Sequence, residues 1–435
     1  MKPVGLAILT GLVSLSAILN SAAAEEFSFN VSAYEKKPYE LNGHFDVMAS
    51  QLSVNPDSAL ANLAFKPPES ATDFQRYNSE FELNGLYRFS HSTLNFRSLS
   101  QWQKDTFNQG TEHTLQEGFW NYQSSDQWSF ELGKLAIKWG KGYAWNPVGF
   151  LERAKNPDDP EVNREGFVLA SGGYTKSLPG LVKTVSASLF TIPVSDSVNE
   201  DFSPNTGRGD INSVFWGGKL SLLVKDTDID VYLRHSTETN TDFGVSFATN
   251  LATNFEVHGD FAYRNHRLQT QITDASTLNT ITESTFQSLV GLRYLTKSDL
   301  TWIAEWFHNP QGYNTSEMDR YYTLAQSDLI TESADYQLAQ QAKQTPYGLS
   351  NPGQNYLYLR ASQKDVADVV YLNAALTAIT NIEDNSYLLT PELIYTGYKN
   401  TELRFRATTF QGAKKSEFGE KLYNCKLEAR LRVFF

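Results

Sequence analysis

Hydrophobic and polar residues alternate with a period of two along most of this chain. Ile229, Val231 and Leu233 alternate with Asp230, Tyr232 and Arg234, and Leu403, Phe405 and Ala407 with Arg404, Arg406 and Thr408. Leu427, Ala429, Leu431, Val433 and Phe435 alternate with Glu428, Arg430, Arg432 and Phe434. Period two sends successive side chains to opposite faces of a strand, so each segment predicts a strand with one apolar and one polar face. Read with the turn residues between them, these segments give about eighteen strands. Their cores are 40–53, 75–90, 92–104, 114–123, 128–138, 167–175, 181–192, 213–224, 228–238, 242–250, 253–264, 285–296, 300–309, 354–363, 369–380, 386–397, 401–411 and 426–435.

The connections alternate as well. Those after even-numbered strands are short, such as His91, 124–127, 225–227 and 398–400. Those after odd-numbered strands include every long one: 54–74, 139–166, 193–212, 265–284, 310–353 and 412–425. A closed antiparallel transmembrane β-barrel with short turns at one end and long loops at the other has this rhythm. Eighteen strands enclose an aqueous lumen, whereas eight fill their interior with side chains. No plug domain fits before the first strand.

Composition sharpens this picture. Lys2, an apolar run from Val4 to Leu19, and Ala22 and Ala24 before Glu25 have the layout of a secretory signal peptide. The expected division is therefore a signal peptide over 1–24 cleaved near Ala24, a periplasmic lead-in over 25–38, and a barrel over 39–435. Within the lead-in, Phe27–Tyr34 also alternates. After the signal peptide no run of eighteen apolar residues exists, so no membrane-spanning helix is available. Only 40% of the residues are hydrophobic, which agrees with strands that are apolar on one face alone. The 22 Tyr, 27 Phe and 8 Trp suit aromatic girdles at the two membrane interfaces. Cys425 is the only cysteine, and a net charge of -12 argues against nucleic acid as a partner.

An exported chain ending on an amphipathic strand with Phe435 resembles the Gram-negative outer-membrane β-barrels of the porin-like type. The resemblance implies Phe435 as an assembly signal read by the barrel-assembly machinery. It also implies an outer-membrane location among lipid and lipopolysaccharide, and a small solute as cargo. A second resemblance lies in Gly133-Lys134-Leu135-Ala136-Ile137-Lys138-Trp139-Gly140-Lys141-Gly142, followed by Asn146-Pro147. It is similar to a stretch in several large porin-like barrels, including some near the alginate-export channels. Here the alternation slips at Gly133, as at a β-bulge.

Facing the apolar set outward turns Arg88, Arg97, Arg404, Arg406, Arg430 and Arg432 into the lumen, because a charge at the lipid midplane costs roughly 2–4 kcal/mol. These arginines cluster where the last two strands meet the first three. Two readings stand: an anion-selecting wall, or arginines that brace the wall through Glu402, Glu428 and Glu82. Loop 139–166 contributes Tyr143, Trp145, Arg153, Lys155, Asp158, Asp159 and Glu161 as candidate constriction residues. It either folds into the lumen or shields the mouth. The cluster Asp158–Glu161 lacks the spacing of any defined Ca²⁺ loop and reads as a solvated turn. Loop 310–353 carries a helix-favouring segment, 332–342.

The seven histidines form no motif such as H-E-x-x-H, and no metal or cofactor is expected. His258 and Asp260 share a lumen face and read as a wall contact. A channel for small polar or anionic solutes or saccharides is the leading function. A scaffold or receptor barrel in an outer-membrane complex comes next, and a barrel-embedded enzyme last.

Overall fold

The computed structural model describes residues 37–65, 72–202, 212–236, 241–273, 277–327 and 333–435. The expected signal peptide, and the lead-in as far as Lys36, lie outside them. Eighteen strands run β1 Tyr39–Val54, β2 Phe74–Phe89, β3 Ser92–Lys104, β4 Gln109–Gln123, β5 Trp128–Leu135 and β6 Phe167–Ser177. They continue with β7 Val182–Val194, β8 Ser213–Val224, β9 Thr227–Ser236, β10 Asp242–Ala252, β11 Phe255–Ile272 and β12 Leu278–Leu295. The last six are β13 Leu300–His308, β14 Asn355–Gln363, β15 Leu372–Asn381, β16 Ser386–Tyr395, β17 Thr401–Gln411 and β18 Tyr423–Phe434. Each pairs antiparallel with its neighbours in sequence, and β18 pairs with β1 to close the sheet. Closure leaves no open sheet edge, which a backbone in lipid requires.

The faces follow the sequence pattern. Tyr39, Phe45, Tyr87, Phe96, Trp302 and Phe405 are exposed on the exterior. Asp46, Glu82, Asp230, Asp260, Glu305 and Glu392 occupy the opposite register positions and are buried in the lumen.

Three local details differ from the sequence reading. No bulge occurs at Gly133, because β4 and β5 hold register through Gly133 and Lys134. The irregularity lies on β4, where Arg97 pairs with Glu117 and Ser98 with Leu115, skipping Gln116. Gly133 instead has φ 132°, and a Cβ there would lie 2.4 Å from the Gly118 carbonyl oxygen. A side chain is excluded by both conformation and space. The outer connection expected over 265–284 is mostly ladder, since β11 runs on to Ile272 and β12 starts at Leu278. A bulge between Arg264 and Arg267 restarts the pairing and interrupts the period on which the strand end was judged. The connection after β3 is only 105–108, closed by Asp105 accepting from the amides of Phe107 and Asn108.

Three helices pack at the long-loop end: α1 Ala59–Ala64, α2 Thr315–Ala325 and α3 Ala334–Lys343. The last matches the helix expected within 332–342, and Ser333 caps it. Asn314 and Glu317 form a capping box on α2. Leu63 of α1, Tyr321 and Tyr322 of α2, Leu338 of α3 and Ile272 of β11 share one hydrophobic cluster. Because α1 lies in the connection between β1 and β2, and β11 stands across the eighteen-membered ring from them, this cluster roofs part of the mouth.

Phe435 extends the seam by one further pair. Its amide donates to the Gly43 carbonyl and its carbonyl accepts from the Gly43 amide, both at 3.1 Å. Its ring covers Gly43 and stacks on Phe81 at 5.9 Å. Phe435→Ala is expected to lower the amount of folded barrel, measured by heat-modifiable gel migration. Wild-type amounts would argue that the ring is dispensable for closure and assembly.

Candidate functional site

Beyond Leu135 the chain leaves the wall and turns into the lumen, and glycines permit the turn. Gly140 has φ 84°, and a Cβ there would lie 2.5 Å from Asn146 Oδ1 and 2.8 Å from Asp260 Oδ2. Without side chains at 140 and 142, the backbone can lie against lumen-facing carboxylates. The Lys141 and Gly142 amides donate to Asp260 at 2.9 Å each. The Tyr143 and Ala144 amides donate to Glu305, the latter at 2.8 Å. Four consecutive amides are thus held by two carboxylates from β11 and β13. The Gly140 amide donates to Tyr232 Oη at 3.0 Å, and the Trp139 amide to Glu152 at 2.8 Å.

The opposite side of this segment is also satisfied. Lys155, on the returning limb of the loop, donates to the carbonyls of Gly142 and Tyr143. Burial pushes the Lys155 ammonium down, while Glu152 opposes that shift. Burial pushes the Glu152 carboxyl up, opposed first by Arg164, which it contacts at 2.6 Å. Aromatic packing fixes both flanks. Trp139 packs with Phe150, Phe190 and Tyr232, and Trp145 stacks on Phe307 at 5.2 Å. Loop 139–166 therefore folds into the lumen.

Its turn at 156–163 reaches the arginine wall. Asp159 contacts Arg404 at 3.1 Å and Arg406 at 3.6 Å. Arg406 also donates to the Asp158 carbonyl at 2.8 Å, and Tyr143 Oη donates to Glu161 at 2.9 Å. This turn faces the lumen, where Glu161 is exposed to the cavity and Asp159 is tied to the opposite wall. Behind it, Glu392 is buried among Arg360 at 3.3 Å, Arg404 and Arg406 at 3.5 Å. Arg430 contacts Glu402 at 3.0 Å, and Arg430 and Arg432 both contact Asp46, at 3.4 and 2.9 Å.

A cavity of about 460 Å³ remains between the loop and this wall. Of the sequence candidates, it brings together Arg404, Arg406, Arg430, Arg432, Tyr143, Asp158, Asp159 and Glu161. The others stand elsewhere. Arg88 pairs with Glu40 at 2.6 Å, and Arg97 with Glu117 at 3.1 Å and Glu82 at 3.8 Å. Arg153 joins Glu165 and Asp201 across two loops, while Trp145 and Lys155 anchor the loop from behind. Glu428 pairs with Lys426 at 3.1 Å rather than with an arginine.

Sequence reasoning turned Arg360, Glu392, Asp260 and Glu305 toward the lumen but gave none of them a part in the constriction, reading Asp260 only as a wall contact beside His258. The available signal was a buried-face charge on a lumen-facing register, which marks many residues equally. His258 is a wall contact, with Nε2 at 2.9 Å from Glu305. In all, five arginines and eight carboxylates line the cavity. The wall carries the five guanidiniums together with Glu80, Glu82, Glu392, Glu402 and Glu428, and the loop adds Asp158, Asp159 and Glu161, of which Asp159 pairs directly with Arg404 and Arg406.

No family model matches the chain, and no curated protein matches it. Among solved structures, one similar fold is Wzi, an outer membrane protein involved in group 1 capsule assembly in Escherichia coli and a carbohydrate binding β-barrel. The TM-score is 0.52 and the identity 8%, over 99% of this chain and 89% of that one. OccAB3 of Acinetobacter baumannii gives a TM-score of 0.50 at 10% identity, over 91% and 99% of the two chains. OccK5 of Pseudomonas aeruginosa gives 0.49 at 11%, over 91% and 97%. At such identities the likeness is one of fold alone, a closed antiparallel β-barrel of the porin-like type.

Proposed function

We propose that this chain is a non-enzymatic channel of a Gram-negative outer membrane that passes small polar solutes through a constriction formed by loop 139–166. The observation that carries this reading is the loop clamped inside the lumen, with its acidic turn tied to the arginine wall and a cavity of about 460 Å³ left beside it. Opposed charges in a narrow passage with low-dielectric walls produce a field across it, which orients solutes carrying both a carboxylate and a positive group. Because carboxylates outnumber arginines in the lining, it does not favour anions as a class. The long loops face outward and the short turns the periplasm, as in other barrels of this kind.

The test is single-channel recording in planar bilayers, with the reversal potential taken in a salt gradient. Discrete conductance steps with weak or no cation preference are expected. Strong anion selectivity would contradict the charge reading, and silence from a folded barrel would contradict the channel itself. A second reading, a receptor or scaffold barrel, draws on the roof formed by α1, α2 and α3 over part of the mouth. It predicts that silent outcome.

A further inference from the structure

The lumen wall beside the constriction also carries a set of metal-ligand groups that the channel reading does not use. His44 and Asp46 lie two residues apart on the lumen face of β1, and Glu80 sits directly opposite Asp46 on β2. Same-face neighbours at this spacing are within reach of one another. One donor atom from each of the three lies within 4.8 Å of the other two. Asp46 is 2% exposed and His44 9% exposed, and His44 Nε2 has no hydrogen-bond partner among the described residues. A buried imidazole nitrogen without a partner incurs the desolvation penalty of that group, which a ligand there would compensate.

The carboxylates have capacity to spare. Both Arg430 and Arg432 contact Oδ2 of Asp46, and Gln101 donates to Oε1 of Glu80 at 2.8 Å. The other oxygen of each takes part in none of these contacts. Gln101 would orient Glu80 as outer-layer hydrogen bonds orient metal ligands elsewhere. The local charge is also suitable. Asp46, Glu80, Glu82 and Glu402 stand against Arg430 and Arg432, an excess of two negative charges that one divalent cation would neutralise. Arg97 divides between Glu82 and Glu117, which leaves this excess unchanged.

We propose that His44, Asp46 and Glu80 bind a divalent first-row transition metal of the Zn²⁺ class. One imidazole with two carboxylates suits such an ion better than Ca²⁺ or Mg²⁺, which take oxygen ligands throughout. Three protein ligands leave a position open to water or solute, and metal–ligand bonds of roughly 2.0–2.2 Å require only side-chain adjustment from the present spacing. His44 and Glu80 both line the cavity, so the ion would sit at the edge of the passage.

The test uses the full-length barrel folded in detergent, with Zn²⁺ competed against a chromophoric chelator. Wild type is expected to show one saturable site that excess Mg²⁺ does not displace. His44→Gln and Glu80→Gln should each weaken it by more than about tenfold, since even outer-layer changes cost 10–100-fold. His113→Gln, on an exposed residue bonded to Ser100, should leave it unchanged. Absence of a saturable wild-type site, or wild-type affinity in either ligand variant, overturns the proposal. Should His44→Gln give no heat-modifiable barrel, Glu80→Gln decides. Binding is read without conductance, so this result is independent of the channel reading.

Discussion

Replacing Asp260 and Glu305 together by Ala is expected to raise single-channel conductance and make the open-channel current noisier, while the barrel still folds. The two carboxylates receive the amides of residues 141–144. Hydrogen bonds to charged acceptors contribute about 1.5–3 kcal/mol each, so losing the four costs nominally about 6–12 kcal/mol of loop anchoring. Strand pairing does not depend on them, because β11 and β13 keep their full registers with β12. The aromatic anchors Trp139 and Trp145 hold the two flanks of residues 140–144, so that segment moves while the loop as a whole stays in the lumen. That segment carries Tyr143 and the carbonyls that Lys155 holds. Wild-type conductance and noise in the folded double variant would show that packing alone positions the constriction.

The Arg404→Gln, Arg406→Gln double variant should shift the reversal potential toward cations. Arg360, Arg404 and Arg406 face Glu392 and Asp159, three positive charges against two negative. The variant leaves one against two, reversing the sign of the cluster. Arginine stays protonated at any workable pH, so the wild-type contribution should not titrate. Raising the salt concentration should shrink the difference between the proteins, since the Debye length falls from about 10 Å at 0.1 M to 3 Å at 1 M. A carboxylate left buried without a partner costs about 3–5 kcal/mol, so Arg360 must hold Glu392 in the variant. Heat-modifiable migration monitors that, and Arg406→Gln alone is the milder change. An unchanged reversal potential in a folded variant would mean that these arginines brace the wall without setting selectivity.

The sequence by itself determined the barrel. A period of two with one apolar face dictates strands, lipid dictates which face turns outward, and the alternation of short and long connections dictates antiparallel order. These are local rules repeated eighteen times, so small errors at strand ends, as at β11 and β12, did not change the architecture. The lumen orientation of Arg404, Arg406, Arg430 and Arg432 followed from the same rule.

Their partners did not follow. Asp159 reaches Arg404 across 245 residues, and Lys141 reaches Asp260 across 119. Such contacts depend on where a loop without periodicity comes to rest. Gly140 and Gly142 were visible as a motif, but only the tertiary structure showed that they let backbone amides approach Asp260. His44, Asp46 and Glu80 likewise belong to no linear motif. The register of β1 against β2 brings them together, and register is a property of paired strands rather than of either strand alone.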